Sequence, residues 1–149
     1  MIEIRIEGKP APAGSKRAFG IKKHGMYTGR HVVVDTSGAA GRDWRALVQD
    51  RAKEAMKDME MTESAVKFIV HFVYQRPKYH YGKDGKVKSQ YVAAYPKVKP
   101  DLTKVIRAVE DALTGIVWKD DTQVVAGQYR KTYGPFWSTW MGVVKLEDN

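Results

Sequence analysis

The side chains able to do chemistry gather in one stretch, Lys99 to Val125, where Asp101, Asp111, Asp120 and Asp121 stand among Lys104, Arg107 and Lys119. Elsewhere base dominates, with 26 Lys and Arg against 17 Asp and Glu and a net charge of +9. Aspartates grouped in such a chain suit a hard divalent cation, which takes oxygen ligands. A cation held that way neutralises phosphoryl oxygens and activates water, the two requirements of phosphodiester hydrolysis. Without it, the same carboxylates would repel the polyanion that the rest of the surface attracts. A plainer assignment exists for each: Asp101 as a helix N-cap, Asp111 as the i,i+4 partner of Arg107, and Asp120–Asp121 as turn residues.

Position decides between the two, and position depends on a helix. Leu102, Val105, Ile106, Val109 and Leu113 recur at i, i+3, i+4, i+7 and i+11, the apolar stripe of an amphipathic helix over residues 101–114. Pro100 precedes it, Asp101 is an N-cap candidate and Gly115 a stop. Lys104, Arg107 and Asp111 share the opposite face. The helix spans ~18 Å at ~1.5 Å per residue. The segment from Gly115 to Asp120, if extended, covers ~20 Å. Ile116-Val117-Trp118 running back along the helix would therefore deliver Asp120 and Asp121 beside Asp101. The spacing permits that fold-back without compelling it. Glu110 lies about 180° from Asp101 around the helix and is not grouped with it.

The remaining chain supplies a scaffold. Ile2, Ile4 and Ile6 alternate with charged residues, the period of a half-buried strand. Residues 8–20 form a Pro/Gly loop with Lys9, Lys16 and Arg17, and Met26 to Asp35 makes a hairpin arm or short strand. Trp44, Leu47, Val48, Ala52, Ala55, Met56 and Met59 mark a helix over 42–59 whose methionines and aromatic are core, with Arg51 the polar intruder on that face. Residues 65–74 read as a central strand: Phe68, Val70, Phe72 and Tyr74 fill one side, Ile69 and Val73 part of the other, implying cover on both faces. Residues 122–132 and 137–146 are two strands around a turn at Gly134-Pro135. Phe136, Trp137, Trp140 and Met141 exceed the needs of a small sheet and leave room for a partner surface. Between the central strand and the second helix, residues 75–99 carry no period. They hold Arg76, Lys78, Lys83, Lys86, Lys88, Lys97 and Lys99 against Asp84, with Tyr79, Tyr81, Tyr91 and Tyr95 interleaved. Their length and Gly82 and Gly85 suggest a mobile basic loop, suited to phosphates and unpaired bases.

The run Pro100, Asp101, Asp111, Ala112, Leu113, followed by Asp120, Asp121, Gln123 and Val124, resembles the signature of the RusA family of Holliday-junction resolvases. Pro77, Lys78, His80 and Tyr81 resemble a segment that precedes the acidic motif in phage members. The resemblance covers about 25 residues closely and most of the chain loosely. It implies a single RusA-like α+β domain over 1–149, a two-layer sandwich of a mixed β-sheet packed by two main helices. It also implies Mg²⁺, with Mn²⁺ able to substitute, held by Asp101 and Asp121 with Asp120 and Asp111 as further candidates. Arg107 takes the place of the family's assisting lysine. Lys16, Arg17, Arg76, Lys78, Lys99 and Lys104 are the expected DNA contacts. Thr103 departs from the pattern, because the family has a second Asp there and a neutral hydroxyl is a poorer ligand. Lys104 stands at the family's Asn.

Composition fits these expectations. At 149 residues, 43% hydrophobic and 11% aromatic, the chain can fill one ordinary core. Its charge points to nucleic acid well ahead of an anionic membrane. No apolar run approaches the ~18 residues of a membrane span, and no signal peptide opens the chain. The absence of cysteine excludes disulfides and thiolate metal sites and fits a cytoplasmic protein. His24, His31, His71 and His80 lack zinc-site spacing. Paired cuts across a junction require two sites, hence a C2 homodimer on four-way or branched DNA. The expectation is a Mg²⁺-dependent crossover-junction endodeoxyribonuclease of phage or prophage type, serving recombination and repair. The alternative is a branched-DNA-binding protein whose nuclease site Thr103 has weakened.

Overall fold

The computed structural model describes residues 1–14, 16–35 and 38–148, and the side chains of all of these except 16, 17 and 33–35. In chain order they form β1 (Ile2–Glu7), β2 (Lys16–Lys23), β3 (Met26–Asp35), α1 (Gly38–Ala55), β4 (Val66–Gln75), α2 (Leu102–Leu113), β5 (Val124–Gly134) and β6 (Ser138–Lys145). The main sheet runs β1-β6-β4-β5, and β2 with β3 makes a separate two-stranded ribbon. β6 is antiparallel to β1 and β4, whereas β5 is parallel to β4, so the sheet is mixed. The protein is the expected α+β sandwich, one sheet layer and one helix layer.

Each element follows from which side chains can be buried. Ile2, Ile4 and Ile6 are buried and their neighbours exposed, as alternation requires. Phe68, Val70, Phe72 and Tyr74 face the helices, meeting Trp44, Val48 and Ala52 of α1 and Val105, Val109 and Leu113 of α2 in one core. Burying each such side chain is worth about 1.5–3 kcal/mol. α1 starts earlier and stops earlier than its periodicity suggests, at Gly38 and Ala55. Small residues extend its first turn, while Met59 lies beyond its end and is 46% exposed. Arg51 points outward, within 3.8 Å of Glu54.

The two strands on either side of Gly134-Pro135 form as expected, without pairing to each other. β5 and β6 are consecutive but not neighbours, because β4 lies between them and supplies partners to both. Cover on the second side of β4 is only partial: Lys67, Ile69, His71 and Val73 are half-buried, and α1 reaches the cavity on that face through Arg51. That cavity, of about 680 Å³, is also bordered by Arg5, His71, Val73, Phe136, Ser138 and Trp140. Met141 belongs to the core, and the half-buried Trp137 packs on Tyr74 at 4.6 Å between ring centroids.

His71 makes the fold sensitive to acid. Its Nε2 lies 2.7 Å from Thr132 Oγ1. Burial first, and the nearby Arg130 charge second, hold the imidazole below its ordinary pKa of 6.5. The unfolded chain therefore takes up the proton at higher pH than the folded one, and stability is lost as pH falls through that region. The Tm of the protein is expected to drop between pH 7 and pH 5. His71→Gln, which can still bond Thr132, should drop less in circular-dichroism melts, and an equal or steeper drop would exclude this source.

The aperiodic residues 76–99 are built around one ring. His80 is buried, stacked on Tyr91 at 4.2 Å with a 4° interplanar angle, and edge-on to Tyr79 and Tyr133. Arg76 Nη1 donates to the Tyr91 carbonyl at 2.8 Å, and Lys88 N to that of His80 at 2.8 Å. Gly82 and Gly85 close a turn, with Gly85 N donating to Gly82 O and Gly82 N to Lys86 O.

Candidate active site

Asp101 sits at the N-terminal end of α2, in extended backbone at φ −69° and ψ 138°. It occupies the N-cap position, but its side chain makes no capping hydrogen bond. Its carboxylate is exposed and lies 3.6 Å from Lys104 Nζ. Lys9, Pro10, Pro12, Lys99 and Pro100 complete the surrounding depression. Beneath it, the Tyr74 hydroxyl and Lys131 Nζ both donate to the Pro100 carbonyl. The tyrosine's pKa is pushed up to about 12, by burial and then by the charge of Asp101.

Asp120 and Asp121 sit at the other end of the helix. After Leu113 the chain does not extend; it coils. Ile116 N and Val117 N both donate to Leu113 O, and Gly115 N donates to Trp118 O at 2.7 Å. Trp118 Nε1 donates to Thr114 Oγ1 at 3.0 Å, and the burial of Val117 and Trp118 fixes the turn in the core. Gly115, at φ +87°, takes the left-handed conformation that ends the helix. Asp120 then caps the short turn Asp121–Gln123: its Oδ1 accepts from Thr122 N at 2.9 Å, and Gln123 Oε1 accepts from Asp120 N at 2.8 Å. The backbone and side-chain bonds from Thr122, then a bond with Asp121, hold the Asp120 carboxyl below its ordinary range.

This end carries a cavity of about 560 Å³ bordered by both residues. Asp111, Asp120 and Asp121 line it together with Arg107, and α1 contributes Arg42 and Arg45. Arg107 and Asp111 form no ion pair within 4.0 Å, so neither is spent on the other. Glu110 belongs to the group as well. Tyr129 OH donates to its Oε1 at 3.3 Å, and its pKa is raised by burial, the Tyr129 bond opposing, with Asp121 and Asp111 adding to the rise.

The fold-back expected from the spacing does not occur. Twelve helical residues separate Asp101 from the Asp120–Asp121 end, ~18 Å at ~1.5 Å each. β5 is an independent ruler: it begins beside Asp121 and reaches the Pro100 carbonyl only at Lys131, ~23 Å away at ~3.3 Å per residue. Pro12 borders both depressions. One chain therefore carries Asp101 apart from Asp111, Asp120 and Asp121.

Lys78, Lys99, Lys104 and Thr103 are exposed. Arg76 is half-buried and turned inward, its guanidinium also 5.3 Å from the Tyr133 ring. The side chains of Lys16 and Arg17 lie outside the described residues. Arg42, Arg45 and Glu110 were not legible as site residues. Arg42 and Arg45 lie in a helix whose apolar face drew the attention, and Glu110 joins only because the chain turns at Gly115.

A family model for endodeoxyribonuclease RusA matches residues 8–136. The chain belongs to the RusA endodeoxyribonuclease family. No curated protein matches it. RusA proteins are endodeoxyribonucleases that act on Holliday-junction DNA. No helix among the described residues is long and apolar enough to cross a membrane.

The RusA chemistry expected here involves Mg²⁺, and the residues present fit it in part. Among the described residues no three carboxylates or imidazoles converge to enclose a cation. Mg²⁺, however, commonly binds through one or two carboxylates, retaining waters and taking substrate phosphate as a further ligand. Asp120 and Asp121, with Asp111 on the same cavity, supply a set of that size.

Proposed function

We propose that this RusA protein is a Mg²⁺-dependent, structure-selective endonuclease that resolves four-way and branched DNA by paired symmetric cuts as a homodimer. In a bacterial cytoplasm, encoded by phage or prophage, it would serve recombination and repair. The observation that carries the reading is the cavity at the end of α2, where Asp111, Asp120 and Asp121 face Arg42, Arg45 and Arg107. Aspartates would hold the ion and guanidinium groups the scissile phosphate, the two kinds of ligand that phosphodiester hydrolysis needs side by side. When bound, Mg²⁺ supplies charge neutralisation and an activated water, and Mn²⁺ can replace it.

Asp101 enters this site from a second copy. It is too far from its own Asp121 to share an ion with it, so a site using both draws them from two chains. β5 offers the means. It is an edge strand of the sheet, and Val125 to Gln128 are exposed. Exposed edges pair readily with another strand. A second β5 added antiparallel and centred on that run brings Asp121 opposite Thr132 of the other copy. That position adjoins Lys131, which reaches the Pro100 carbonyl beside Asp101. Two such sites per dimer match the two cuts a junction requires.

The test is cleavage of a synthetic four-way junction. The wild-type protein should nick opposing strands symmetrically with Mg²⁺ or Mn²⁺ and not at all with EDTA. The alternative, a branched-DNA-binding protein of weakened activity, is favoured by one observation: the exposed, neutral Thr103 at the family's second acidic position. Tight junction binding without nicks at any Mg²⁺ or Mn²⁺ concentration would establish that alternative instead.

A further inference from the structure

The ribbon β2–β3 is the part of the molecule with least reason to fold alone. Every residue from Ala18 to Val32 is exposed, so over that run neither face packs against a core. An isolated two-stranded hairpin is marginally stable in water. This one is well specified locally nonetheless. His24 (φ +52°) and Gly25 (φ +78°) make its turn, in the left-handed backbone that matches the twist of paired strands. A bulge between Gly20 and Lys22 bends it, with Thr28 Oγ1 donating to Ile21 O at 2.7 Å. On one face Tyr27 lies across Gly20, its hydroxyl 2.7 Å from His31 Nε2. A side chain at Gly20 would collide with that ring.

Charge indicates what the ribbon meets. From Lys16 to Val34 the sequence holds no Asp or Glu. Lys22 and Lys23 next to the turn, and Arg30 further along β3 at the level of the bulge, are exposed and make no ion pair among the described residues. A second copy of this chain would have to neutralise that charge with an acidic surface, whereas DNA does so along its whole length. A two-stranded ribbon also matches the ~12 Å width of the B-form major groove. Its exposed apolar side chains include Phe19 and Ile21 on β2 and Met26 on β3, which would lie against the groove walls.

We propose that the β2–β3 ribbon grips a duplex arm of the branched substrate, with Lys22, Lys23 and Arg30 on its phosphates, away from the carboxylates that cut. The proposal rests on the nuclease reading above for the identity of the DNA, but it has its own readout. Lys22→Ser, Lys23→Ser and Arg30→Ser combined change only exposed side chains, and the Tm should stay unchanged. Binding of a fluorescent four-way junction is then measured in EDTA across a range of salt. Each phosphate contact contributes ~0.9 to the log–log salt slope, so the triple variant should lose about 2–3 from the slope, with affinity falling at least tenfold near physiological salt. Nicking at saturating DNA should keep its wild-type rate.

A slope equal to the wild-type slope overturns the ribbon's role and leaves the nuclease reading intact. A wild-type protein that binds the junction through this slope but never nicks it sinks the nuclease reading and leaves the ribbon's role intact. If the triple variant binds normally while Phe19→Ser with Met26→Ser converts dimers to monomers in sedimentation, the ribbon meets a second copy and the proposal is wrong.

Discussion

Asp121→Asn is expected to abolish Mg²⁺-dependent nicking while junction binding and melting temperature stay close to wild type. The side chain is exposed at the start of a short turn that Asp120, not Asp121, caps. Exchanging its carboxylate for an amide leaves the Thr122 and Gln123 bonds of that cap in place and alters only its bond with Asp120. What it removes is one of three carboxylates, with Asp111 and Asp120, from a cavity that Arg42, Arg45 and Arg107 also line. A metal ion contributes several kcal/mol of transition-state stabilisation. Losing a principal ligand should cost ~3–5 kcal/mol, a ~10²–10⁴-fold drop in rate. Binding should hold or tighten slightly, because less negative charge faces the phosphates. Single-turnover cleavage and anisotropy on the same junction separate the two effects. Nicking within a few-fold of wild type would remove Asp121 from the metal site.

Much of the scaffold was legible because it is written in periodicity. The stripe Leu102–Leu113 and the alternation Ile2–Ile6 each match one period and one burial pattern. The turn after α2 was not, and the reason is physical. Ile116, Val117 and Trp118 have the composition of a strand, and in isolation an extended return is as good as any. What decides is tertiary: Trp118 and Val117 gain more by burial under β4 and α2 than they would along a helix flank, and Thr114 offers the indole its acceptor. That choice moves two aspartates by the length of a helix.

The local assignments were divided in the same way. Asp120 does make a turn cap, as its sequence context allows, yet it also lines the cavity. Asp101 and Asp111 do not take the local partners available to them as a side-chain cap and an Arg107 pair. The segment 76–99 hid its organisation because a buried His80 between tyrosines leaves no repeating signature, and its Arg76 serves that ring cluster. The family match stands apart from all these details, since residue types at fixed spacing survive any error in how the intervening chain is folded.

Sharing of the site between two copies has a direct consequence for mixed dimers. Asp101→Asn and Asp121→Asn should each be inactive as homodimers, since every site then lacks one carboxylate. Co-expressed with different tags and purified as a heterodimer, they should regain activity. One site in the pair joins the intact Asp101 of one chain to the intact Asp121 of the other, and the second site lacks both. The heterodimer should therefore nick a four-way junction at about half the wild-type rate, with one of the two symmetric sites active, and should leave single nicks in place of paired cuts. A heterodimer as inert as its parents, or an Asp101→Asn homodimer that still cuts, would contradict a site built from two chains.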